Sequence, residues 1–213
     1  MSLMSLRFYL TLGVLISSLS GLSACSTATA PAMRHFDLGI PAYANAGTTT
    51  GQNAAKPESK AIAIKLDYVE SSPVLNSDAM WYRFMNKNAQ ELRAFAQSKW
   101  SMQPAQLVQQ NTHRFLMQQG FLVVSSSDGI KDLPLLKLNL DEFSQYFSSE
   151  NTSSAVLHIR ANLIHKQTLL TQKQFQIQIP SASADAAGGA QAMQLAQNQF
   201  MQELQVWLRS SLK

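Results

Sequence analysis

Three stretches in the second half of the chain alternate apolar and polar residues with a period of two. They are Leu136, Leu138 and Leu140, then Leu157, Ile159, Ala161 and Leu163, then Phe175, Ile177 and Ile179. Successive side chains of a strand point to opposite faces, so each stretch gathers its apolar groups on one side and has to bury that side. The cover is written further along. After Pro180 and the stretch SASADAAGGA, Met193, Ala196, Phe200, Leu204, Trp207 and Leu208 recur at spacings of three and four, with Gln194, Gln197, Gln202 and Gln205 on the opposite side. One apolar stripe on a helix and one apolar face on a sheet satisfy each other.

The remainder of the domain reads in the same way. AIAIKLDYV at 61 to 69 places Ile62, Ile64, Leu66 and Tyr68 on one face and predicts a half-buried strand. AMWYRFM at 79 to 85, ELRAFA at 91 to 96 and FLVV at 121 to 124 predict three more strands, and RHFDLGI at 34 to 40 an ordered early patch. Between them PAQLVQQNTHRFLMQQG opens with Pro104, closes with Gly120 and repeats Leu107 or Val108, Asn111 or Thr112, Phe115 and Leu116 at helical spacing. The predicted class is α+β: a single domain with a mostly antiparallel sheet and two principal helices packed on it.

The chain of 213 residues has one cysteine, Cys25, so no internal disulfide supports the fold. Arg7 and the run FYLTLGVLISSLSGL precede it, a positive flank and an apolar stretch diluted by Ser17, Ser18, Ser20 and Gly21. A membrane-spanning helix needs ~20 predominantly apolar residues, and this run fits a secretory signal better. Leu22, Ser23, Ala24 and Cys25 resemble a bacterial lipobox. That resemblance implies diacylglycerol on the Cys25 sulfur, cleavage before Cys25 and acylation of the new terminus. The plainer reading is a lone thiol behind an ordinary signal, which exported proteins seldom carry. The expected organisation is a signal peptide at 1–24, a lipidated tether at 25–33 and a domain at 34–213 with a flexible insertion at 41–60, where Ala, Thr, Gly and Asn dominate. Ser26 after the cysteine favours the outer membrane and its periplasmic face, by analogy with lipoprotein sorting.

Little in the sequence carries catalytic chemistry. There is no GxSxG elbow, no HExxH and no phosphate-binding loop. The four histidines, His35, His113, His158 and His165, show no zinc-ligand spacing, and Asp141 and Glu142, as strand neighbours, point to opposite faces. A formal net charge of +4, spread along the chain, argues against a nucleic-acid partner. The chain is therefore expected to be neither an enzyme nor a cofactor protein. Trp100, just before the first helix, is a candidate for the mouth of a cleft.

In their order, HFDLGI, MWYRF, LRAFAQSKWSMQPAQLVQQNTHRFL, LLKLNLDEFSQYF, AVLHIRANLIHKQTLLTQKQFQ and a closing helix ending in WL resemble the ABC-type transport auxiliary lipoprotein family, the PqiC-like proteins, over residues 34 to 209. Tyr82, Arg83 and Trp100 fall at positions characteristic of that family and form the expected partner or groove surface. The stretch at 41–60 is longer than the family pattern. The resemblance implies a lipid-anchored component, without enzymatic activity, of a system that also holds an ABC ATPase, a permease and a periplasmic MCE-domain protein and moves lipid or other hydrophobic molecules between membranes. Docking of the MCE protein at the outer membrane, as a monomer or homo-oligomer, is the expected role, with passive lipid handling in a groove as a variant. An envelope hydrolase and an assembly lipoprotein of another outer-membrane machine are the alternatives.

Overall fold

The computed structural model describes residues 32–39 and 61–213. The signal segment, Cys25 and the stretch 41–60 lie outside the described residues. Everything described is organised around one long strand, β7 (Leu135–Ser149). It continues into β8 (Thr152–His165) and β9 (Thr168–Pro180) as an antiparallel meander. Two-residue connections fix the register. Between β8 and β9 both turn residues, Lys166 and Gln167, have positive φ (49° and 65°), the geometry whose twist matches flanking strands.

A continuous run of chain lies along the other edge of β7. It comprises β2 (Ala63–Leu66), β3 (Glu70–Ser71) and β4 (Ala79–Phe84), all parallel to β7, with Lys65 beside Leu135, Glu70 beside Asn139 and Trp81 beside Ser144. From β4 the chain turns into β5 (Asn88–Trp100), which pairs antiparallel with it, and β1 (Arg34–Phe36) adds in parallel at the end of β5. β6 (Leu122–Ser125) lies parallel to β2. The nine-stranded sheet is thus mixed, which corrects the expectation of a mostly antiparallel one. The reason is the crossover. β5, helix α1 (Pro104–Gln118) and β6 intervene between β4 and β7, and a connection of that length returns the chain in the same direction.

The strand whose alternation reads Leu136, Leu138 and Leu140 runs on to Ser149, because a bulge resets its alternation. Leu136, Leu138 and Leu140 sit opposite Leu163, Ala161 and Ile159; past the shift between Leu140 and Glu142, Phe143, Gln145 and Phe147 sit opposite Leu157, Ala155 and Ser153. All twelve are buried. One extra residue moves the apolar set from even to odd numbers without changing face.

Helix α2 (Ala186–Ser211) packs on β8 and β9 and contributes Met193, Ala196, Phe200, Leu204 and Leu208 to the core. The Phe200 ring meets Phe175 edge-on at 5.1 Å. The core-facing side of α1 carries Leu107, Val108, Asn111, Thr112, Phe115 and Leu116, the set its spacing predicted. The helices are tied at their ends: Arg209 of α2 donates to the Gln119 carbonyl and lies 4.8 Å over the Phe121 ring.

The glycines that open α2 serve a close approach. Asp185 caps the helix by accepting from the Gly188 amide at 2.8 Å, and that bond, with one from Ser183, holds its carboxyl below the usual aspartate range. A Cβ on Gly188 would overlap the Ser183 carbonyl oxygen, and one on Gly189 the buried Gln145 side chain, which itself donates to Ser153 and to the Asp185 carbonyl. Gly188→Ala is therefore expected to destabilise the protein by about 1–3 kcal/mol, measured as a lowered denaturant midpoint, although alanine is the better helix former. A midpoint that rises would show that the Ser183 turn yields freely.

Candidate functional site

Tyr82 and Arg83 lie on β4, at the junction of that strand with β5 and the far end of β7. Alternation sends them to opposite faces. On one face Tyr82 is the centre of an aromatic cluster, its ring 4.6 Å from Phe95, 5.5 Å from Phe147 and 5.7 Å from Phe84. Cations border it. Lys87 lies 5.1 Å and Arg93 5.9 Å from the centre of the Phe84 ring, within cation–π range. Each is paired with an acid, Lys87 with Glu150 and Arg93 with Glu91, both at 2.7 Å. These hydrogen bonds hold the two glutamates below the usual carboxylate range. Met85, 45% exposed, opens the turn that follows the strand.

Arg83 serves the hairpin itself. Its Nη1 donates to the carbonyls of Ala89 and Gln90, both at 3.2 Å, and so braces the turn between β4 and β5. On the same face Tyr146 donates to Glu142 Oε2 at 2.8 Å, and the buried Ser144 donates to Glu142 Oε1 at 2.7 Å. Burial, then the Glu142 charge, pushes the Tyr146 phenol up to about 12. The folded state therefore holds this proton more tightly than the unfolded chain. Its contribution to stability is complete below pH ~10 and is lost as the pH rises from there through the folded value. A phenolate absorbance titration is expected to show one tyrosine ionising last, and Tyr146→Phe to remove that step.

Trp100 is elsewhere. It is the last residue of β5, 3% exposed, with its ring 5.1 Å from Phe143. This corrects the expectation of a cleft-mouth position: β5 runs to 100 instead of ending near 96, and the tryptophan closes the core. Trp81 is partly buried against the same core, with its indole N–H donating to the Val74 carbonyl at 3.0 Å. The structure thus brings Tyr82 and Arg83 together at one hairpin and leaves Trp100 out. Phe84, Phe95 and Phe147 were missed as partners of Tyr82, although Tyr82 and Phe84 stand two apart on one strand, a legible signal.

The acids expected to diverge do so. Asp141, at the bulge, takes two hydrogen bonds from Arg160 at 2.8 and 2.9 Å, whereas Glu142 takes those of Ser144 and Tyr146. Among the described residues no group of three or more histidine, cysteine or acidic side chains is placed to hold a metal ion. No described helix is long and apolar enough to cross a membrane.

Residues 46–205 match the family model described as the ABC-type transport auxiliary lipoprotein component. The chain belongs to that family. The match takes in eight of the nine strands and almost all of α2, leaving β1 outside it. The family is an auxiliary component of transport systems. Among solved structures, a Xanthomonas campestris protein of family-model DUF330 shares 18% identity with a TM-score of 0.61, covering 73% of this chain and 90% of that one. A second protein, described only as uncharacterized, shares 12% identity with a TM-score of 0.65, covering 84% and 99%. At these identities the likeness is one of fold. The comparison with curated proteins gives no match.

Proposed function

We propose that this auxiliary lipoprotein is held by acyl chains on Cys25 at the periplasmic face of the outer membrane, where it docks the MCE-domain component of an intermembrane transport system. The observation that carries the reading is the family match across nearly the whole described domain, joined to the lipobox-like LSAC. Energy for transport would come from the ABC ATPase and permease, reached through the MCE protein.

The surface we assign to the partner is the β4–β5 hairpin. It combines the features that favour recognition: aromatic rings, a methionine and cations at a rim, on a scaffold braced by Arg83. Trp100 is withdrawn from that surface because it is buried. The test is co-purification of the MCE-domain protein with the tagged lipoprotein. Tyr82→Ala and a Lys87→Glu, Arg93→Glu pair are expected to cut recovery about tenfold or more. Full recovery with both variants would move the docking surface elsewhere, and failure of the unmodified protein to recover the MCE component would remove the docking role.

A further inference from the structure

On the side of the domain where α1 begins, a groove of about 460 Å³ runs between the end of β2 and the first turns of the helix. Among the described residues its lining contains no charged residue and no histidine. What lines it instead is a set of side-chain amides, Asn76, Gln103, Gln106 and Gln109 among them, over a floor that includes Met102 and Ala105, with Tyr68 at one wall. Tyr68 is 70% exposed. A tyrosine that open contributes little to the core, and it stands beside polar groups that the core does not need.

Among the described residues, three of the amides are held in place by the fold through one atom only. Gln109 Oε1 accepts from the Val69 amide at 2.9 Å, which leaves Nε2 as a donor. Gln103 Nε2 donates to the Asn76 carbonyl at 3.1 Å, which leaves Oε1 as an acceptor. Asn76 Oδ1 accepts from Ser71 at 2.7 Å, which leaves Nδ2 as a second donor. Pinning one end of each amide fixes where the other end lies, so the groove offers a preorganised neutral array of two donors and one acceptor.

From this array we infer that the groove binds a glycan built of N-acetylated amino sugars. The chemistry selects it by elimination. A phosphate or carboxylate ligand would need a cation, and none of the described residues lining the groove is one. An acyl chain would desolvate the amides and leave them unpaired, a cost that apolar contact would not offset. An acetamido group answers each element: its carbonyl accepts from a side-chain amide, its N–H donates to Gln103 Oε1, and its methyl rests on the Met102 and Ala105 floor. A pyranose ring presents an apolar face of C–H groups to a phenol ring and a rim of hydroxyls to Gln106. The inference stands apart from the docking role, since it uses neither the hairpin nor the transport partner.

The experiment is a calorimetric titration of the full chain, in detergent, with a short β-linked N-acetylglucosamine oligomer, alongside sedimentation with peptidoglycan sacculi and titration with an extended neutral peptide. Saturable binding of the oligomer is expected, weakened about tenfold or more by Tyr68→Ala and by Gln106→Ala, both exposed enough to leave the circular dichroism spectrum unchanged. Co-sedimentation with sacculi would assign the source to the cell wall; oligomer binding without it would assign another envelope glycan. No saturable binding of the oligomer, binding indifferent to both substitutions, or binding of the peptide alone would overturn the proposal.

Discussion

Phe200→Ala is expected to lower the free energy of unfolding by about 3 to 5 kcal/mol, read as a fall in denaturant midpoint at constant slope. The ring is fully buried and meets Phe175 edge-on, and its removal leaves a void between α2 and β9 that rigid strands cannot close. Trp207 makes a useful comparison. It belongs to the same stripe but is only partly buried, 6.3 Å from Phe175, and should cost distinctly less when truncated. Equal losses at both positions would mean that the end of the helix is clamped as tightly as its middle. An unchanged midpoint for Phe200→Ala would sink the packing argument for α2.

The other large effect concerns membrane attachment. Cys25→Ser should abolish incorporation of a fatty-acid analogue and normal processing, leaving the protein either with its signal retained or soluble after alternative cleavage, because the acyl chains that anchor it, at ~0.8 kcal/mol per buried methylene, are no longer attached. The changed protein should still fold, since among the described residues the buried core begins only at Leu38. Metabolic labelling decides the matter. Equal label in both proteins, or an unmodified protein found wholly soluble, would remove the lipid anchor and most of the proposed role with it.

How much of this architecture could be read from the chain depended on whether the signal was local. The stripe of α2, the α1 face from Leu107 to Leu116 and the alternation of β8 and β9 are local patterns, and each led to an element of the predicted kind. Strand direction is not local. Nothing in AIAIKLDYV says that it will lie parallel to a strand that begins some seventy residues later, which is why the sheet was expected to be antiparallel. The bulge hid the second half of β7, since a period-two reading stops where the parity changes. The candidate site divided along the same line. Tyr82 and Phe84 were adjacent on the page, but Phe95 and Phe147 come from other strands, and Trp100 was misplaced because the length of β5 depends on pairing with β1 and β4. The groove beside Tyr68 joins residues from the segment after β2, from the start of α1 and from the turn before β4, and no single window of sequence contains it.

The seating of β2, β3 and β4 along one edge of β7 bears on the order in which the chain assembles. The β7–β8–β9 meander closes through two-residue turns and can form quickly, whereas Lys65 must find Leu135 across a loop that contains β4, β5, α1 and β6. Distant pairings of this kind slow folding because the entropy of closing the loop is lost before the contacts repay it. The meander and α2 thus provide the nucleus on which the N-terminal half condenses. Until that half docks, one whole edge of β7 stands unpaired. For a chain that emerges N-terminus first, β2 to β6 appear before the strand that templates them, and the interval before the meander closes is when the protein is most open to misassociation.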